Sequence, residues 1–79
     1  MSEPKPGLYE HYKGKSYEVV GLARHSETRE ELVVYRALYD ADEFPYGSLW
    51  VRPRAMFVEE LLVHGRRVPR FRYVGPMAH

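Results

Sequence analysis

Apolar and polar residues alternate with a period of two along most of this chain, and the apolar positions are filled mainly by aromatic and β-branched side chains. That combination favours strands over helices. The pattern predicts a first strand over Gly7–Tyr12, turned by Lys13-Gly14-Lys15, and a second over Ser16–Ala23, with Tyr17 and Val19 on one face and Glu18, Val20 and Leu22 on the other. A polar loop, Arg24–Glu30, follows. A third strand over Glu31–Tyr39 is apolar almost throughout except at Arg36, as expected of a strand covered on both faces. The stretch Asp40–Gly47 carries acidic and turn-forming residues and reads as a second loop.

Ser48–Arg52 predicts a fourth strand, ended by Pro53, which cannot donate to a central ladder. Proline suits the first turn of a helix, so Pro53–Phe57 predicts a single helical turn, with Met56 and Phe57 plugging one end of the core. Val58–Val63 continues as turn or strand, His64-Gly65 turns, and Arg66–Val74 predicts the last strand, with Pro69 marking an edge or a bulge. Five to six short strands and one helical turn predict an all-β fold, either a small, strongly bent antiparallel sheet or an SH3-like barrel. Residues 7–74 read as one small β domain, preceded by a disordered lead-in over 1–6 and followed by a flexible tail over 75–79.

A chain of 79 residues holds one small core of modest stability. No cysteine is present, which removes disulfides and thiolate chemistry. No apolar stretch has the length of a secretory signal or a membrane span, so a cytoplasmic protein without membrane contact is expected. The net charge of +1 names no partner, but its distribution is uneven. After Lys15 every lysine-or-arginine cation is arginine, and His64–His79 contains four arginines and no acid. Arginine binds carboxylate and phosphate through two parallel hydrogen bonds, as lysine cannot; it also serves simply to cover a small core.

Within the run Arg24-His25-Ser26-Glu27-Thr28 a base, hydroxyls and a carboxylate stand side by side. Nucleophilic triads converge from distant parts of a chain, so neighbours in one loop are better placed to cap its turn. His11 and His25, with Glu27, make a possible ligand set, but their spacing matches no metal motif, and no metal or cofactor is expected. Trp50 shares a strand face with Arg52, whereas Leu49 and Val51 share the other and are the expected core residues of that strand. Trp50 is read both as the largest core residue and as part of a surface. If Arg36, Trp50, Arg52 and Arg70 lie on one side, they form an aromatic and guanidinium surface of the kind that stacks bases and clamps phosphates.

Taken in order, Gly7–Gly14, Tyr17–Thr28, Val33–Tyr39, Leu49–Pro53 with Met56-Phe57, and Val68–Phe71 resemble the small bacterial family called domain of unknown function 1653. The resemblance runs from Gly7 to about Phe71 and departs mainly in the Asp40–Tyr46 loop and the tail. It implies a single bacterial domain and brings no established activity. The expected function is a binding module, without catalytic residues, that takes an anionic partner, nucleic acid or an acidic protein segment. The candidate ligand-binding residues are Arg24, His25, Glu27, Thr28, Arg36, Trp50, Arg52 and Arg70. The alternative is a small-molecule or enzymatic site centred on Arg24–Thr28. A third reading makes the edge near Pro69 a docking surface for a larger protein. The chain is expected to be a monomer or weak homodimer.

Overall fold

A computed structural model describes residues 4–77. Its strands are β1 (Gly7–His11), β2 (Ser16–Arg24), β3 (Glu31–Ala37), β4 (Leu49–Pro53), β5 (Glu60–Val63), β6 (Arg66–Pro69) and β7 (Phe71–Gly75), with the single turn of helix α1 (Arg54–Phe57) after β4. Five strands form one antiparallel sheet in the order β4-β3-β2-β1-β7, and β5 pairs with β6 in a separate hairpin. The fold is mostly β, and of the two expected architectures the open sheet is the one that forms. β4 and β7 remain its edges, so there is no closed barrel.

The predicted last strand is in fact two. Arg70 separates β6 from β7; β6 stays with β5, while β7 crosses to pair with β1. The turn between β5 and β6 uses His64 and Gly65, both at positive φ (50° and 78°), the pattern that matches the right-handed twist of a two-residue hairpin.

One face of the large sheet carries the core. Tyr9, Val19, Val33, Tyr35, Phe57 and Phe71 are buried together, with Tyr17, Leu22 and Tyr73 packed against them. Helix α1 lays Phe57 on that face, where its ring stacks on Phe71 at 4.1 Å with an interplanar angle of 2° and meets Tyr9 edge-on at 5.6 Å. Phe57 is therefore the plug that the sequence suggests, but Met56 beside it is exposed.

Leu22 departs from its predicted face. The register slips between Val19 and Gly21, so Val20 is an extra residue in β2 and the alternation restarts one position later. Leu22 then lies opposite Val33, on the core side.

The first described residues are packed. Pro4 is buried, the Tyr9 hydroxyl donates to the Lys5 carbonyl at 2.8 Å, and the Lys5 ammonium sits 4.3 Å from the centre of the Tyr73 ring. Residues 1–3 and 78–79, the remaining parts of the expected lead-in and tail, lie outside the described residues.

Gly7 opens β1 at φ 143°, and a Cβ there would stand 2.8 Å from both the Gly75 carbonyl oxygen and Tyr73 Cε1. Backbone conformation and crowding both demand glycine. Gly7→Ala is expected to lower stability by about 2 kcal/mol or more in urea denaturation. A loss no larger than that of Gly14→Ala, where nothing lies within 4 Å, would show that β1 and β7 separate easily.

Candidate functional site

Antiparallel pairing sets which side chains share a face. Tyr17 lies opposite Ala37, Val19 opposite Tyr35, Tyr35 opposite Trp50, and Val33 opposite Arg52. Trp50 and Arg52 therefore belong to the core face, whereas Leu49 and Val51, the expected core residues of this strand, point away from it and are 61% and 58% exposed. The alternation within β4 is as predicted but its faces are reversed.

Together Tyr17, Tyr35, Tyr39, Trp50 and Arg52 line a hollow of about 220 Å³. Arg52 Nε donates to the Tyr35 hydroxyl at 3.4 Å, and the guanidinium carbon lies 5.6 Å from the centre of the Phe71 ring. The Tyr17 and Tyr39 hydroxyls share a hydrogen bond of 2.6 Å. Burial first, and then this bond, push the Tyr17 phenol well above the ordinary tyrosine range, so it stays a neutral hydroxyl. Trp50 is at the rim, 37% exposed, with Phe44 edge-on at 4.7 Å. It is thus neither a fully buried core residue nor a free surface one.

The other arginines are differently engaged. Arg36 extends from the opposite face of the sheet, where it pairs with its cross-strand neighbour Glu18 at 3.3 Å, and so does not join Trp50 and Arg52. Arg70 pairs with Glu59 at 2.7 Å, Arg72 with Glu10 at 2.6 Å, Arg54 with Glu31 at 3.6 Å and Arg67 with Glu60 at 3.7 Å. Among the described residues no carboxylate lies within 4 Å of Arg52. Arg24, Arg29 and Arg66 also have no carboxylate within 4 Å among the described residues, but they are exposed; Arg52 combines the lack of a counter-ion with a place in a hollow.

Arg24, His25, Glu27 and Thr28 are remote from this hollow, at the β2–β3 connection. Their polar atoms build the turn. His25 Nδ1 accepts from the backbone N–H groups of Glu27 (3.1 Å) and Thr28 (3.3 Å), and the Thr28 hydroxyl oxygen accepts from the Glu30 N–H (3.2 Å). Arg24 Nη1 donates to the Arg29 carbonyl at 3.2 Å. Arg29 itself is left-handed at φ 65° and closes the loop. Of the two hydroxyls expected to cap the turn, Ser26 and Thr28, Thr28 does so, and the further acceptor is His25. His25 and His11 lie beyond opposite ends of β2 and do not meet.

His11 is a neighbour of the hollow that the sequence reading does not place there. Its ring packs on Phe71 (5.0 Å) and Tyr17 (6.2 Å). Its Nδ1 accepts from the Lys13 N–H at 3.2 Å. Burial, and then the positive charges of Arg52, Arg70 and Lys13, hold its pKa below the ordinary histidine value of 6.5. The folded state therefore prefers neutral His11. Its contribution to stability is present above pH 6.5 and is lost as the pH falls through the lowered folded value. NMR titration of the His11 Cε1 proton should give a midpoint below 6.5, and His11→Gln should flatten the acid side of the stability profile. A midpoint at or above 6.5 would contradict this placement of charges.

A larger hollow of about 370 Å³ lies between β1 and the β5–β6 hairpin, bordered by Tyr12, Val63, Val68 and Pro69. Its charged groups Glu10 and Arg72 satisfy each other, so it offers no comparable unpaired charge.

The fold and hollow define a small open-sheet β domain with an aromatic-walled arginine. Residues 7–73 match the family described as a protein of unknown function, DUF1653, and the chain belongs to that family. It is also similar to the crystal structure of a DUF1653 protein from Bordetella bronchiseptica, with 38% identity, a TM-score of 0.84, and coverage of 98% of this chain and 95% of that one. No curated protein matches it.

Proposed function

We propose that the domain is a binding module for a single anionic group, a carboxylate or phosphate, carried on a small or planar molecule and seated in the Arg52 hollow. The observation behind this reading is Arg52 itself. Its guanidinium reaches the Tyr35 hydroxyl and the Phe71 ring, shares the hollow with Trp50 and has no acidic partner among the described residues. Removing a charge from bulk water is costly unless it is paired, and an incoming anion would supply the missing partner.

Size and charge narrow the ligand. About 220 Å³ suits one ring or a small acid and is below the usual range for larger ligands. A continuous polyanion is less well served, because Arg36 is on the other face and Arg70 is already paired. The loop that sends Phe44 against Trp50 also carries Asp40, Asp42 and Glu43. Recognition of nucleic acid would therefore rest on one nucleotide rather than on a tract. The loop Arg24–Thr28 gives a catalytic reading little support, since its His25 and Thr28 acceptors are occupied by backbone donors.

Two-dimensional NMR titration with benzoate, inorganic phosphate, a nucleoside monophosphate and a single-stranded oligonucleotide tests this. The Trp50 indole N–H and the Arg52 Nε–H should shift with at least one small anion, and the oligonucleotide should bind no more tightly than the mononucleotide. If none of the small anions moves those signals at millimolar concentration, the proposal fails. Tight, steeply salt-dependent binding of the oligonucleotide would favour an extended nucleic-acid surface instead.

A further inference from the structure

β4 lies at one edge of the large sheet, with β3 on one side and no strand on the other among the described residues. The Ala37 N–H donates to the Ser48 carbonyl at 3.0 Å, and the Ala37 carbonyl accepts from the Gly47 N–H at 2.8 Å, so Ala37 directs both its backbone groups toward the strand that becomes β4. Hydrogen-bonded and non-hydrogen-bonded pairs alternate along an antiparallel ladder. From the register, Tyr35–Trp50 and Val33–Arg52 are therefore the bonded pairs, and Leu49, Val51 and Pro53 direct their backbone groups outward. Pro53, which has no N–H, occupies one of the outward positions, as a residue without a donor must. Among the described residues no hydrogen bond engages the outward groups of Leu49 or Val51.

Exposed edges are normally guarded by charge, a bulge or a covering segment. The outward side of β4 instead presents Leu49 and Val51, both more than half exposed, with no charged residue on that face of the strand. The opposite edge, β7, carries Arg72 paired with Glu10.

We infer that β4 pairs antiparallel with β4 of a second copy of this chain, about a two-fold axis through Val51. The choice of a second copy rests on complementarity. A two-fold at Val51 sets Val51 opposite Val51, Leu49 opposite Pro53, and Trp50 opposite Arg52. The Val51 N–H and carbonyl then bond reciprocally, and each Leu49 N–H meets a Pro53 carbonyl; only the Leu49 carbonyl, opposite a residue without an N–H, gains no partner across the axis and stays toward water. Trp50 and Arg52 form a non-hydrogen-bonded pair, the closer of the two cross-strand spacings, with a guanidinium against an indole. The partner's Trp50 thereby comes beside Arg52 at the edge of the sheet. The pairing does not depend on whether the Arg52 hollow holds a ligand. A five-residue edge is short, so the dimer is a concentration-dependent one.

Sedimentation equilibrium on the full chain tests the inference. The wild type should show a monomer–dimer equilibrium, and Val51→Lys, which opposes two charges at the axis, should weaken it about tenfold or more. Leu62→Lys, on exposed β5, should not. Because the chain has no cysteine, Val51→Cys places a single thiol at the axis. Mild oxidation should give a covalent dimer with Val51→Cys and far less with Leu62→Cys. A wild type that stays monomeric at NMR concentrations, a dimer undisturbed by Val51→Lys, or equal cross-linking of the two cysteine variants would each overturn the proposal.

Discussion

Replacing Phe57 by alanine should remove about 3–5 kcal/mol of stability, a large share of what a chain of this size has. Phe57 is 1% exposed, stacks on Phe71 and also packs against Tyr9 and Tyr35. Truncating a buried phenylalanine costs about 3–5 kcal/mol, through lost burial and the cavity left behind. A chain of 79 residues has a total stability on the order of 4–12 kcal/mol. The loss is thus comparable to the lower part of that range. The surroundings have little means of collapsing, because α1 is one turn long and the rings around Phe57 are fixed by the sheet. Phe57→Leu, which keeps most of the volume, should lose roughly half as much. Urea denaturation followed by circular dichroism measures both. A well-folded Phe57→Ala with an unchanged midpoint would mean that α1 contributes little to the core.

Arg52→Leu should have the opposite pattern, with binding lost and folding retained. If the hollow seats an anion, removing the guanidinium eliminates a charge-assisted hydrogen bond worth about 1.5–3 kcal/mol, equivalent to a 10- to 150-fold weaker Kd. Stability should be unchanged or slightly higher, because Arg52 has no carboxylate to be left unpaired and leucine occupies the volume of its stem. Arg52→Lys keeps the charge but not the planar fork, and should recover only part of the affinity. Calorimetric titration with the anion that shifts Trp50, alongside thermal melts, separates the two effects. Equal affinity in the wild type and Arg52→Leu would remove Arg52 from the site. A large drop in the melting temperature would make it a structural residue.

How far the sequence carried the reading depended on the range of each signal. Local alternation marked β1 to β4 within one or two residues, and the Gly65 turn and Pro53 marked the ends of elements. Alternation fixes parity within a strand but not which side meets the core. In β4 two aliphatic residues alternate with a tryptophan and an arginine, and aliphatic residues are the natural choice for an interior. The sheet decides otherwise, because the inner side of this edge borders large rings. Parity also fails across a bulge, and nothing in Val19-Val20-Gly21 announces that Val20 is the surplus residue apart from the glycine after it. Pro69 signalled an irregularity; that the chain leaves one sheet for another at Arg70 is a matter of long-range pairing.

The site divided along the same lines. Trp50 and Arg52 were legible as neighbours on one strand face, and they do share the hollow. Tyr17, Tyr35 and Tyr39 come from β2, β3 and the residues just after β3, and only the register brings them there. Arg36 alternates with Val33, Tyr35 and Ala37 along β3, and that parity alone puts it with Glu18 on the other face instead of beside Trp50 and Arg52. The conspicuous polar run at Arg24–Thr28 owes part of its composition to a loop that satisfies its own backbone.

The position of Trp50 has one more consequence. It is the chain's single tryptophan, it stands at the rim of the hollow, and three of the seven tyrosines line the same space. Excitation energy absorbed by those phenols passes to one indole, whose emission colour depends on how wet the rim is. The protein therefore carries its own optical gauge of that spot, and unlabelled material suffices to screen chemical libraries against it.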